Sequence, residues 1–246
     1  MTGGRRRAVR PGAAFVAATY NVHSCIGVDH RYDPERVGEV LCELHADIIG
    51  LQEVDARHRF GRFVEQWSFF AEMTGLPAAC GPHLRDHRGR FGNSLLTRFP
   101  VRRLRHVDLS VGGYEPRGAI DAELIVEGRP LRVVVTHLGL HGSERREQTG
   151  RLLAALSDGA TGDEAVLVMG DLNEWRGRRG GIPALDQRWG RAPAPRTFPS
   201  WLPVLPLDRI YAGGAAALHG VSVHRSGLAR LASDHLPLRA TVGWQA

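Results

Sequence analysis

The chain reads as an α/β protein folded as a four-layer sandwich, two packed mixed β-sheets flanked by helices. Three observations predict this. Short apolar runs, each closed by a polar residue, alternate with amphipathic helical segments. Some runs are joined by tight turns and others by helices, so the strict βαβ alternation of a wholly parallel sheet is absent, and two sheets packed face to face accommodate the mixture. Finally, 246 residues with 43% hydrophobic content suffice for one sizeable core. No internal repeat or linker divides the chain. Residues 13–246 are expected to form one domain, preceded by a disordered basic arm over residues 1–12.

The elements follow in order. Phe15 to Asn21 is the first strand. The arginines at 5, 6, 7 and 10 followed by an apolar stretch superficially resemble a leader peptide, but that stretch is short and runs straight into Asn21 and His23. Asp33-Pro34 is a helix N-cap followed by a first-turn proline, and Val37, Val40, Leu41 and Leu44 lie on one helical face. Asp47 to Leu51 is a buried strand that delivers Gln52 and Glu53. Gly61 to Met73 is a helix directing Phe63, Trp67 and Phe70 inward. Gly92 to Thr97 is a strand stopped at Pro100. Ala119 to Val126 and Leu131 to Thr136 form a hairpin across the turn-rich Glu127-Gly128-Arg129-Pro130. Glu144 to Leu156 is a helix with Leu152, Leu153 and Leu156 on its buried side. Ala165 to Met169 is a strand opening onto Gly170-Asp171-Leu172-Asn173. Trp175 to Pro206, dense in Gly, Arg and Pro, is a long surface loop with at most a short helix at Pro183 to Leu185. Leu207 to Tyr211, Val221 to His224 and Leu236 to Val242 are the last strands.

Composition narrows the chemistry. The net charge is +6 and the basic residues are arginines, whose planar guanidinium forks suit phosphate, although coding bias alone yields similar compositions. Cys25, Cys42 and Cys80 are odd in number and lack CxxC spacing, which points away from a disulfide framework or a thiolate zinc site and towards a reducing, cytoplasmic setting. No segment approaches the roughly 20 apolar residues of a membrane-spanning helix, so stable membrane insertion is not expected.

Asn21, Glu53, Asn93, His137, Asp171, Asn173, Asp208, Asp234 and His235 all fall at or just beyond strand ends. A single carboxylate there is usually a turn residue or cap. Many oxygen donors and two histidines at equivalent positions are harder to attribute to turns. They suit a hard divalent cation such as Mg²⁺ or Mn²⁺, which prefers carboxylate and amide oxygens. A zinc hydrolase would carry closely spaced histidines such as HExxH, and none is present.

The segments Thr19-Tyr20-Asn21-Val22-His23, Leu51-Gln52-Glu53-Val54-Asp55, Gly92-Asn93-Ser94, Thr136-His137, Gly170-Asp171-Leu172-Asn173, Leu207-Asp208-Arg209-Ile210 and Ser233-Asp234-His235-Leu236-Pro237 stand in the order seen in the endonuclease/exonuclease/phosphatase superfamily. The resemblance runs from about residue 15 to 242. It implies the four-layer sandwich and a divalent-metal-dependent phosphoesterase. By the resemblance, Glu53 is the principal metal ligand, helped by Asn21 and Asp234. Asp171 activates the attacking water and Asn173 places the phosphate. His235, oriented by Asp208, contacts the scissile phosphate, as do His137 and Asn93. Two departures stand out. Many nucleases of the superfamily carry an acidic residue where this chain has His23, here assigned to substrate binding. No equivalent of the tyrosine of the DNA-repair members can be placed, since Arg117 rather than Tyr114 reads as the phosphate-facing residue.

The expected partner is a phosphate-ester substrate, the protein acting as a monomer. Nucleic acid leads among substrates, on the basic balance and on Trp175-Arg176, Arg178-Arg179, Arg188-Trp189 and Trp201 in the long loop. A phospholipid or small phosphate ester is the alternative. A binding module without catalysis would be expected to have lost Glu53, Asp171 or His235, and all three are present.

Overall fold

The computed structural model describes residues 14–56, 64–87, 89–157, 164–176 and 181–245. The basic arm, Phe63 and Arg178-Arg179 therefore lie outside the described residues.

Eleven strands form two sheets among the described residues. The first contains β1 (Phe15–Asn21), β2 (Ile48–Asp55), β3 (Ala78–Asp86), β4 (Gly89–Thr97), β10 (Ala216–Val223) and β11 (Leu238–Trp244), in the order β10-β11-β1-β2-β4-β3. The second contains β5 (Val101–Asp108), β6 (Gly118–Val126), β7 (Arg129–His137), β8 (Val166–Asp171) and β9 (Asp208–Gly213), in chain order. Each sheet holds one parallel pair, β1 with β2 and β7 with β8, and the rest is antiparallel. The parallel pairs are those bridged by long helices, α1 (Pro34–Glu43) and α3 (Gly142–Ser157), as parallel neighbours require a crossover.

Side-chain alternation builds the layers. Phe15, Ala17, Ile48, Leu95, Ile120, Val133, Val135, Leu167 and Met169 fill the space between the sheets. The opposite face of the first sheet, including Ala18, Tyr20, Ile49 and Leu51, packs on α1, α2 (Gln66–Thr74) and α5 (Ala229–Ala232). The far face of the second, including Val134 and Val168, packs on α3 and α4 (Pro183–Trp189). Gly50 permits the close sheet approach, because a Cβ there would meet Val135 at 2.9 Å and Met169 at 3.0 Å.

Asp33 caps α1 by accepting from the Arg36 backbone N–H at 3.0 Å. The second helix starts later than its sequence suggests, at Gln66, where the Glu65 side chain caps the Ser68 N–H; Trp67 and Phe70 are buried as expected. β3 and β5 escape sequence reading. The first is an edge strand interrupted by Pro82, and the second is a polar edge strand rich in arginine, so neither presents an apolar run. Among the described residues no helix is long and apolar enough to cross a membrane.

Candidate active site

The sheets converge at one end, where β1, β2, β7 and β8 finish and β9 and β11 begin. β2 ends in an irregularity: its register with β4 shifts between Leu51 and Val54, and Glu53 adopts φ +58°. A bulge of this kind re-aims a side chain that regular pleating would send elsewhere, and here it turns Glu53 towards Asn21. Asn21 Nδ2 donates to Glu53 Oε1 and to Asp171 Oδ2, each at 3.0 Å, and so ties the two sheets together. Asn21 Oδ1 accepts from the His23 N–H at 3.0 Å.

His23, Ser24 and Cys25 form a tight turn with φ of 47°, 51° and 63°, a left-handed stretch rare for residues with side chains. The turn holds His23 Nδ1 2.9 Å from the Ile26 carbonyl and 3.8 Å from Asp234 Oδ1. Glu53, Asn21 and Asp234 thus form an oxygen-rich edge, with His23 beside it.

Asp171 occupies the centre. Gly170 makes this possible: a Cβ there would lie 1.8 Å from the Thr136 carbonyl oxygen, so only glycine lets β8 run this close to β7 and bring Asp171 level with His137. Asp171 Oδ1 accepts from the Asn173 N–H at 2.9 Å, while Oδ2 lies 3.4 Å from His137 Nε2 and 3.5 Å from His235 Nε2. Burial lifts its pKa to about 6; the Asp208 charge adds to the rise, and the His235 charge and the Asn21 hydrogen bond oppose it. A carboxyl so placed titrates near neutrality, where a general base is most effective.

His235 shows the opposite balance. Burial alone favours its neutral ring, but the carboxylates of Asp208 and Asp171 outweigh burial and hold the pKa up at about 10. His235 Nδ1 donates to Asp208 Oδ2 at 2.9 Å, and the same oxygen accepts from Thr197 Oγ1 at 2.5 Å. Phe198 packs on the imidazole at a centroid distance of 5.0 Å. Ser233 Oγ donates to the Asn21 carbonyl at 2.7 Å and accepts from the His235 N–H at 3.2 Å, joining the last turn to the first strand.

On the other flank both hydrogens of the Asn173 amide are committed, to Leu138 O at 2.9 Å and to His137 Nε2 at 3.1 Å. His137 Nε2 is then an acceptor, and its proton sits on Nδ1, which is buried without a hydrogen-bond partner among the described residues. Burial, reinforced by the positive charges of Arg117, His83 and His235, holds His137 well below the ordinary histidine range, so the ring is neutral. Asn93 Nδ2 donates to the Gly118 carbonyl at 2.8 Å, and Arg117, next to that peptide, is buried.

The eleven residues singled out in the sequence therefore fall into a connected set. Asp171, Asp208 and His235 place donor atoms within 4.8 Å of one another, a spacing that would also suit a metal. Asp208, however, is engaged by His235 and Thr197, so the Glu53–Asn21–Asp234 edge is the better match for a hard cation. Its donors are two carboxylates and an amide oxygen with a spare lone pair.

Sequence reading missed the supports. Thr197 lies in a Gly- and Pro-rich loop with no periodic signal. Glu174, directly after Asn173, is buried against Arg145 Nη2 at 3.2 Å, while Arg209 Nη2 donates to its carbonyl at 3.0 Å. Arg145 was detectable, since it shares the helical face of Gln148, Thr149, Leu152 and Leu156. The long loop divides: Trp189 packs on Tyr211, whereas Trp175 and Trp201 remain exposed.

The endonuclease/exonuclease/phosphatase family model matches residues 18–235. The Escherichia coli K12 protein YbhP, itself uncharacterised, is 31% identical across 93% of this chain and 96% of its own length. Two solved structures share the fold. An endonuclease/exonuclease/phosphatase from Bacteroides vulgatus has a TM-score of 0.76 at 18% identity, covering 95% of this chain and 100% of that one. The human Nocturnin catalytic domain, solved with a bound sulfate anion, has a TM-score of 0.71 at 20% identity, covering 94% of each. With the seven motifs in order and their side chains gathered at one sheet edge, the chain belongs to the endonuclease/exonuclease/phosphatase family.

Proposed function

We propose that this protein is a divalent-metal-dependent phosphoesterase that hydrolyses a phosphate ester by attack of an activated water, with residues 13–246 acting as one catalytic unit and working as a monomer. The observation that carries the reading is the position of Asp171, a buried carboxyl poised near neutrality between an oxygen-rich edge and a cationic imidazole.

Glu53, Asn21 and Asp234 would hold Mg²⁺ or Mn²⁺, which when bound neutralises phosphate charge and stabilises the leaving oxygen. Asp171, ionised, orients a water through its carboxylate and takes the proton as the water attacks phosphorus. Asn173 and Asn21 fix the carboxylate through their hydrogen bonds to it. His235, kept cationic by Asp208, presents charge to the non-bridging oxygens as the pentacoordinate centre forms. His137 is neutral and supplies an N–H from Nδ1 on the opposite flank, with Asn93 and Arg117 beyond it and His23 beside the cation edge. Nucleic acid is the leading substrate class, on the arginine-rich surface and the exposed Trp175 and Trp201, and the cysteine pattern favours the cytoplasm.

The test is hydrolysis of bis-p-nitrophenyl phosphate by the purified protein. Activity should vanish in EDTA and return with Mg²⁺ or Mn²⁺, and Asp171→Asn and Glu53→Gln should each lower kcat by at least about 10²-fold. Full activity after rigorous chelation, or near-normal rates in either variant, rejects the proposal.

A further inference from the structure

We infer that the seam between edge strands β3 and β5 is a second anion pocket, built to hold a further phosphate of the substrate beside the one that is cleaved. This rests on the phosphoesterase reading and extends it from the bond broken to the molecule recognised. The cleft has a volume of about 220 Å³; Pro82 and His83 of β3 form one wall, His106 and Val107 of β5 the other, and Arg117 lies at the head of β6.

Arg117 is the strongest indication. It is only 5% exposed, its Nε has no hydrogen-bond partner among the described residues, and its ion pair is to Glu115 Oε2 at 2.9 Å. The Glu115 side chain is 55% exposed. A guanidinium withdrawn from water needs full pairing, and a single carboxylate on a mobile, solvated arm satisfies one part of its fork. A phosphate entering the cleft would accept from that fork in two places and displace Glu115, which stands where the anion would bind.

The walls agree with this. Imidazoles offer an N–H donor in either protonation state, and His83 and His106 face the cleft from opposite sheets. The one acidic residue in the lining, Asp108, accepts from the Ser110 N–H at 2.9 Å and so is engaged by its own loop.

The pocket also adjoins the reacting centre. The Gly118 carbonyl, one peptide from Arg117, accepts from Asn93 Nδ2 at 2.8 Å and from Thr136 Oγ1 at 3.3 Å. Thr136 in turn precedes His137, whose titration is depressed partly by the charges of Arg117 and His83. A substrate phosphate facing His137 therefore has a neighbouring phosphate within reach of the seam. Two sources share this chemistry: the flanking phosphate of an oligonucleotide, and the second phosphate of a small bisphosphate.

The experiment compares kcat/KM for matched substrate pairs in the presence of Mn²⁺, with bis-p-nitrophenyl phosphate as the reference. One pair is a thymidine dinucleotide with and without a 5′-phosphate; the other is inositol monophosphate against inositol bisphosphate. The wild type should favour the doubly phosphorylated member of one pair by about tenfold, the worth of a charge-assisted hydrogen bond or more. The double variant His83→Ala/His106→Ala should bring that ratio towards one. Because His83 packs on Phe91, the single exposed substitution His106→Ala is measured too and should lower the same ratio, while Glu115→Gln should raise it. Preference within the dinucleotide pair assigns nucleic acid, and preference within the inositol pair assigns a small bisphosphate. Equal rates within both pairs, or a preference untouched in every variant, overturn the pocket in an enzyme that still cleaves bis-p-nitrophenyl phosphate. A wild type inactive on all substrates overturns the phosphoesterase reading instead.

Discussion

At the scale of single residues, the site depends on two ionisable groups driven in opposite directions by the same burial. Asp171 is raised because its charge is costly to bury, whereas His235 is raised because two carboxylates make its charge favourable. The partner that separates them is Asp208. Replacing Asp208 with Asn removes the charge while keeping the shape, and kcat on bis-p-nitrophenyl phosphate should fall by about 10²-fold with little change in KM. Thr197 acts through Asp208 as a positioning residue. Thr197→Val should lower kcat about fivefold, in line with one lost hydrogen bond, and Thr197→Ser should recover it. An unrecovered Thr197→Ser variant would mean that the methyl group rather than the hydroxyl is what matters.

At the scale of elements, function rests on places where regular structure is interrupted. The β2 irregularity aims Glu53, and Gly170 lets two strands approach until Asp171 and His137 are level. Gly170→Ala would drive a methyl group into the Thr136 carbonyl, and the parallel pair must separate; a loss of about 3 kcal/mol in urea unfolding is expected, accompanied by loss of activity. The loop after β8 is fixed by the buried Arg145–Glu174 pair. Arg145→Met leaves the Glu174 carboxylate buried without its partner and should cost about 3–5 kcal/mol, and adding Glu174→Gln should recover a large part of it. Equal unfolding midpoints for the single and double variants would show that the pair is not coupled.

At the scale of the whole molecule, a second ionic network braces the sheet far from the chemistry. Asp121, on β6, accepts from Arg132 at 2.8 Å through both carboxylate oxygens and from Arg105 Nη2 at 2.6 Å. Burial alone would raise its pKa, but these arginine hydrogen bonds and charges outweigh burial and hold it below the ordinary value of 3.8. A carboxyl depressed in the folded state contributes stability that is present above its unfolded pKa and lost as pH falls through the folded one. Thermal scans should therefore show an acid limb below about pH 4, shallower in Asp121→Asn, which should also be less stable at neutral pH. An unchanged acid limb would exclude Asp121 as its source.

The sequence by itself determined the layered architecture, the α1 cap at Asp33 and the membership of the site. Strand ends are readable because apolar runs stop abruptly, and polar residues that follow such runs are exceptional enough to be noticed. It could not show β3 or β5, whose exposed edges carry no apolar pattern, nor Thr197, which lies in a loop without periodicity. Tertiary structure alone decided the pairings. Asn21 meets a carboxylate 150 residues away and Ser233 a carbonyl 212 residues away, contacts that depend on how the two sheets pack. The same packing sets Asp171 and His235 on their separate courses, because a pKa shift depends on burial and neighbouring charge, and both are properties of the assembled fold.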